Sequence, residues 1–168
     1  MLVFVGKQFA CVKIIGRANF TFALDFQALV TGLQQKGCAY FVLDLAECLI
    51  MDSTFLGVLA GFGLKMTGAD AGQNRHAVEL LNPSPRVAEL LENLGILPLF
   101  KIVRASPGMA DATEACVPEP AHPSRAEVAR ACLEAHQTLM AINPENVPKF
   151  KDVAQFLAED LKKLENCS

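Results

Sequence analysis

Apolar and polar positions change their period several times along this chain, and each change predicts an element. Residues 2–15, LVFVGKQFACVKII, alternate loosely and are rich in Val, Ile and Phe. They predict two short strands with a turn at Gly6-Lys7. Residues 21–35 place Phe22, Phe26, Leu29, Val30 and Leu33 at helical spacing, with Thr21 as N-cap and Gly37 as the stop. YFVLDL (40–45) is the continuous apolar run of a strand buried on both faces. STFLGVLAGFGLKM (53–66) predicts a helix ended by GADAGQN, and HAVELLN (76–82) another strand. SPRVAELLENLG (84–95) is punctuated at both ends, with Ser84 as N-cap, Pro85 as first helical residue and Gly95 as stop. PLFKIVR (98–104) is the last strand of this series. Strands alternating with helices imply an α/β fold: a mostly parallel sheet flanked by helices.

The pattern then breaks. Residues 105–124, rich in Pro, Ala and Gly, read as a linker. Beyond it Val128, Cys132, Ala135 and Leu139 form one helical stripe, and Phe150, Val153, Leu157, Leu161 and Leu164 a second, separated by NPENVP. These two amphipathic patterns predict a C-terminal helical hairpin extension. Its apolar seam can pack on itself, on the sheet domain or on a second chain, the last giving a homodimer through the C-terminal helices. The organisation expected is a sheet domain over 1–104, a linker over 105–124 and a hairpin over 125–168.

Composition narrows the function. Of 168 residues, 52% are hydrophobic and 20% charged, enough apolar material for a core and too little charge for wholesale disorder. The net charge is −3, shared as +1 over residues 1–104 and −4 over the rest, and no basic run occurs. Nucleic acid is therefore not expected as a partner. No apolar run approaches the ~20 residues of a membrane span, and the N-terminus lacks the layout of a signal peptide, so a cytoplasmic protein is expected. The six cysteines form no C-x-x-C pair and share no zinc-ligand spacing with His76, His122 and His136. Reduced thiols, no metal and no cofactor follow as expectations. There is no Gly-rich phosphate loop and no Ser-His-Asp order, Cys-His pair or metal cluster, and Ser53 has no nearby His to act as a base, so an enzyme is not expected.

One stretch stands apart. In LDLAECLIMDSTFLGVLAGFGLKM (43–66), Asp52, Ser53 and Thr54 interrupt two segments that both favour burial. In an α/β sheet, binding favours the loops after strands. Ser53 is placed to cap the following helix, and Asp52 puts negative charge where the helix dipole stabilises it. Gly57 and Gly61 lie one helical turn apart. Each costs about 1 kcal/mol against Ala inside a helix, which suggests a close approach of that helix to the sheet.

VLDLAECLIMDSTFLGVLAG resembles the signature of the STAS domain of bacterial anti-sigma factor antagonists: a strand ending in Asp-Leu, then Asp-Ser-Ser/Thr-Gly-Leu-Gly opening a helix. The order of elements over 1–104 and the SPRVAELLENLGI helix agree with that family. The resemblance implies a partner-switching regulator with Ser53 as the phosphorylated residue. The partner would be an anti-sigma factor that is itself a serine kinase, with a phosphatase to reverse the modification. Asn19, Asp52, Thr54 and Phe55 are the implied partner-binding residues, and Gly57 and Gly61 belong to the structural motif. Asn19, in GRAN (16–19), stands where the family tends to carry an acid, and Phe55 where the motif usually has Gly. The alternative is a STAS scaffold that is never phosphorylated, an accessory subunit of a signalling or transport complex. A sensor of nucleotides or lipids ranks below both.

Overall fold

The computed structural model describes residues 1–6, 8–69, 77–104 and 122–166. The first apolar run forms β1 (Leu2–Val5) and β2 (Phe9–Lys13), an antiparallel pair whose turn is closed by Gly6 N–H donating to Phe9 O at 2.8 Å. β2 then pairs in parallel with β4 (Tyr40–Asp44), β4 with β6 (Val78–Leu81), and β6 with β7 (Lys101–Val103). The five-stranded sheet has the order β1-β2-β4-β6-β7, parallel except at β1. Val12, Phe41, Leu43 and Leu80 are fully buried, as the apolar runs require. A second, two-stranded parallel sheet joins β3 (Gly16–Ala18) to β5 (Cys48–Met51). The sequence pattern did not predict these two strands, because each is too short to show a period.

The first helix, α1 (Phe20–Gln35), buries Ala23, Phe26, Val30 and Leu33. Its cap is not Thr21. Asn19 occupies the N-cap, its side chain accepting the Phe22 N–H at 3.1 Å. Gly37 ends the turn at φ 91°, a backbone conformation that strongly favours glycine. α2 (Ser53–Ala69) packs on α1 through tilted and edge-on ring contacts, Phe26 to Phe55 at 5.3 Å and Phe26 to Phe62 at 5.8 Å. Phe62 in turn meets Phe41 of β4 at 5.0 Å. α3 (Pro85–Asn93) keeps its sequence-read punctuation, with Ser84 capping Val87 and Gly95 at φ 71°. A short 3-10 turn (Leu97–Leu99) leads into β7.

The extension is a helical hairpin of α4 (Arg125–Ile142) and α5 (Val147–Asn166). Ser124 and Glu127 form a capping box at its start. The hairpin packs on itself and on the sheet domain, with α4 lying along α2. Leu139 joins the main core at full burial, and Asn146 is equally buried. The Asn146 amide donates to Leu94 O and Leu139 O, both at 2.9 Å, which fastens the hairpin tip to the end of α3. The α5 stripe departs from its sequence pattern at Val153, which is exposed; Ala154 is buried instead. The linker read over 105–124 lies mostly outside the described residues.

Candidate functional site

The site is built where two parallel connections end side by side. β3 delivers Asn19 to the start of α1, and β5 delivers Asp52 to the start of α2. Asp52, not Ser53, caps α2. Its Oδ1 accepts the Phe55 N–H at 2.8 Å while its carbonyl accepts from Leu56. Its Oδ2 accepts the Phe20 N–H, also at 2.8 Å. One carboxylate therefore holds the first turns of both α1 and α2, where free N–H groups and the helix dipoles favour negative charge. With that role filled by its neighbour, Ser53 becomes the first residue of α2 and its hydroxyl is free of capping duty.

That hydroxyl is nevertheless engaged. Ser53 Oγ lies 3.0 Å from His136 Nε2 of α4, and His136 Nδ1 lies 2.7 Å from Cys132 O. A carbonyl can only accept, so Nδ1 carries the hydrogen. In the neutral ring Nε2 is then an acceptor, and Ser53 donates to it. His136 is only 5% exposed and is backed by the Phe150 ring at 5.2 Å. The absence of a histidine near Ser53 inferred from the sequence is thus corrected. The two residues are 83 positions apart, and only the docking of α4 brings them together. The order hydroxyl, imidazole, carbonyl can draw a proton from Ser53. Two clefts beside α4, of about 440 and 620 Å³, are lined by neither Ser53 nor His136.

The other sequence-predicted residues separate into two groups. Asn19 is exposed, next to exposed Phe20, and Asp52 is half-buried. Thr54 is 6% exposed, its hydroxyl 3.7 Å from Cys132 Sγ beneath α4. Phe55 is fully buried against Phe22 and Phe26, which makes it a core residue and removes its ring from any partner's reach. A bulky apolar residue stands there because the space between α1 and α2 needs filling.

Gly57 and Gly61 also need correcting: they face α4, not the sheet. A Cβ on Gly57 would overlap the Ala135 carbonyl and come within 2.7 Å of Ala135 Cα, and one on Gly61 would meet Thr138 Cγ2 at 3.9 Å. The close approach inferred from the glycines is real at Gly57, but its partner is another helix. It is Gly63 that faces the residues leading into β7, where a Cβ would come within 2.8 Å of the Phe100 ring. His136 and Cys132 were missed as members of the site. The stripe Val128, Cys132, Ala135 and Leu139 marked their side of α4 as contact-making, yet nothing in a linear pattern says what that side meets.

Burial raises the Cys132 thiol above its ordinary range, against the lowering effect of the Thr54 hydrogen bond and with a further raising effect from Asp52. It is a weak nucleophile at neutral pH. Among the described residues, four cysteines are free and no cluster of His, Cys, Asp or Glu could hold a metal. No helix among them is long and apolar enough to cross a membrane.

Strand order, helix placement and the Asp-Ser-Thr mouth of α2 together define an α/β module in which a carboxylate holds the entry to α2. Residues 5–108 match the STAS domain model, and the chain belongs to the STAS domain family. The anti-sigma factor antagonist SpoIIAA in its unphosphorylated form is similar in structure, with 22% identity, a TM-score of 0.53, and coverage of 66% of this chain and 90% of that one. An anti-sigma factor antagonist described as putative, from Thermotoga maritima, gives 21%, 0.52, 64% and 88%. The Bacillus cell fate determinant SpoIIAA in its phosphorylated form gives 21%, 0.50, 66% and 94%. No curated protein matches the chain. The family match ends before α4 begins.

Proposed function

We propose that this protein is a non-enzymatic, partner-switching regulator of the anti-sigma factor antagonist kind, with Ser53 as the residue whose phosphorylation switches it. The observation that carries this reading is the position of Ser53: first residue of α2, directly after Asp52, with a side chain that caps nothing. A phosphoryl group there adds about 1.5–2 negative charges at a helix N-terminus, where the dipole of α2 favours negative charge. Pressed between Asp52 and a docked partner, the same charge meets repulsion and desolvation. Taking a complex from 99:1 bound to 1:99 needs about 5.5 kcal/mol, which a buried like-charge contact can supply in large part. The partner is an anti-sigma factor acting as a serine kinase, with a phosphatase to reset the switch, in the cytoplasm of a bacterium. Asn19 and Asp52 form the rim it meets.

The test is intact-mass measurement after incubation with ATP and an anti-sigma factor kinase from the same organism. One phosphoryl group is expected on the wild-type chain and none on Ser53→Ala. Equal uptake by the two refutes the site.

A second reading has its own support. Because the Ser53 hydroxyl already donates to His136 and Thr54 lies under α4, the protein also fits a scaffold that is never modified, binding a signalling or transport partner or a second copy through its C-terminal helices. Retention of a stable partner, or of a dimer in sedimentation, that is indifferent to Ser53→Asp favours this reading over the first.

A further inference from the structure

The face on which Ser53 would be modified is already occupied by the chain's own α4. Three contacts place it there: Ser53 Oγ to His136 Nε2 at 3.0 Å, Thr54 Oγ1 to Cys132 Sγ at 3.7 Å, and the Gly57 backbone directly against Ala135. His136 and Thr54 are nearly fully buried by this packing, and Ser53 is half-buried with its hydroxyl held by the imidazole. A kinase needs the Ser53 oxygen in the open, and a partner gripping the mouth of α2 needs the space that α4 fills.

A phosphoryl group on Ser53 is incompatible with the closed arrangement. The ester oxygen has no hydrogen to donate to Nε2, and the 3.0 Å between Oγ and the ring leaves no room for a phosphorus between them. Leu139 and Asn146, both fully buried, moor the far end of the hairpin at the end of α3. Release of the mouth of α2 is therefore a pivot of the hairpin about that mooring rather than its departure.

We propose that the α4–α5 hairpin is a latch acting in cis: closed, it withholds Ser53 from a kinase and competes with a partner for the mouth of α2, and a phosphoryl group on Ser53 holds it open. The inference deepens the phosphorylation reading and rests on it. In the modification step the Oγ–P bond forms as the bond between the γ-phosphorus and ADP breaks, and the hydroxyl proton passes to the kinase's base. The latch shifts only the population that can react, so its strength sets the rate of modification.

Two full-length proteins test this without a kinase: one with phosphoserine incorporated at position 53, and Gly57→Ala. The alanine favours α2 as a helix while placing a methyl group inside the α4 backbone. The readout is alkylation of Cys132 by iodoacetamide under native conditions, with core Cys38 (5% exposed) as the internal control. Both proteins are expected to react at Cys132 at least about tenfold faster than wild type, the factor given by a modest loss of closed-state stability, with Cys38 unchanged. A wild-type rate at Cys132 in the phosphoserine protein overturns the proposal. If Gly57→Ala also exposes Cys38, it has unfolded, and His136→Ala replaces it under the same criterion.

With kinase and ATP, Gly57→Ala is expected to gain phosphate faster than wild type. Equal rates at Ser53 in both proteins overturn the latch and leave the phosphorylation reading standing. An open latch in the phosphoserine protein with no uptake by either chain supports the latch and removes the phosphorylation reading.

Discussion

Asp52 does more than its neighbours suggest. Its two oxygens satisfy the Phe55 and Phe20 N–H groups, so removing it uncaps α2 and orphans a donor at the start of α1. Asp52→Ala is expected to cost about 2–4 kcal/mol, a cap plus a hydrogen bond to a charged group, read from the midpoint of a urea melt. Asn146 is a comparable case without charge. Its amide serves two carbonyls in a fully buried place, and Asn146→Ala is expected to cost about 1–3 kcal/mol by leaving them unpaired. These residues differ in how far sequence could reveal them. Ser84 declared itself through Pro85 beside it and Gly95 at the far end, because capping signals are local. Asn19 displaced Thr21 because β3 delivers the chain into the helix two residues earlier than the apolar pattern implied. Asn146 lies in NPENVP, read only as a separator, since the carbonyls it serves are 52 and 7 residues away.

Among the helices, two glycines have opposite meanings. Gly32 in α1 has open space where a Cβ would stand and a helical backbone, whereas Gly57 has the α4 main chain there. Gly32→Ala is accordingly expected to stabilise the protein by up to about 1 kcal/mol, seen as a rise in melting temperature. The Arg130–Glu165 ion pair between α4 and α5, at 2.7 Å, is half-exposed at both ends. Arg130→Ala should stay within about 0.5 kcal/mol of wild type in the same melt, because the hairpin is held by its apolar seam and by Asn146. The helices were legible from their periodicity, and so was the existence of a seam. The orientation of Gly57 was not, because a gap in the side-chain pattern records that something comes close without recording what.

For the molecule as a whole, burial has a pH consequence. Desolvation raises the thiols of Cys11, Cys48 and Cys132; for Cys11 the Asp44 charge adds to this and Lys13 opposes it, while for Cys48 a hydrogen bond to Ile50 opposes it. The folded chain therefore holds these protons more tightly than the unfolded one. The stability this gives is complete below the ordinary thiol pKa of about 8.5 and is lost as pH rises through the higher folded values. Urea midpoints are expected to hold steady up to that pH and then decline, with a smaller decline in Cys48→Ala. At this scale the sheet-and-helix order of the first 104 residues was readable, since alternating apolar runs and helical stripes leave few arrangements. The joining of Ser53 to His136 was not, because it depends on how the extension docks.

That docking changes what the molecule presents to its surroundings. The surface around Ser53 is composite, drawn from the matched family segment and from a helix that begins after it ends. An antibody selected against residues 1–108 alone would therefore meet an epitope that the intact chain keeps covered, and its binding to the whole protein would report directly on how often the cover lifts.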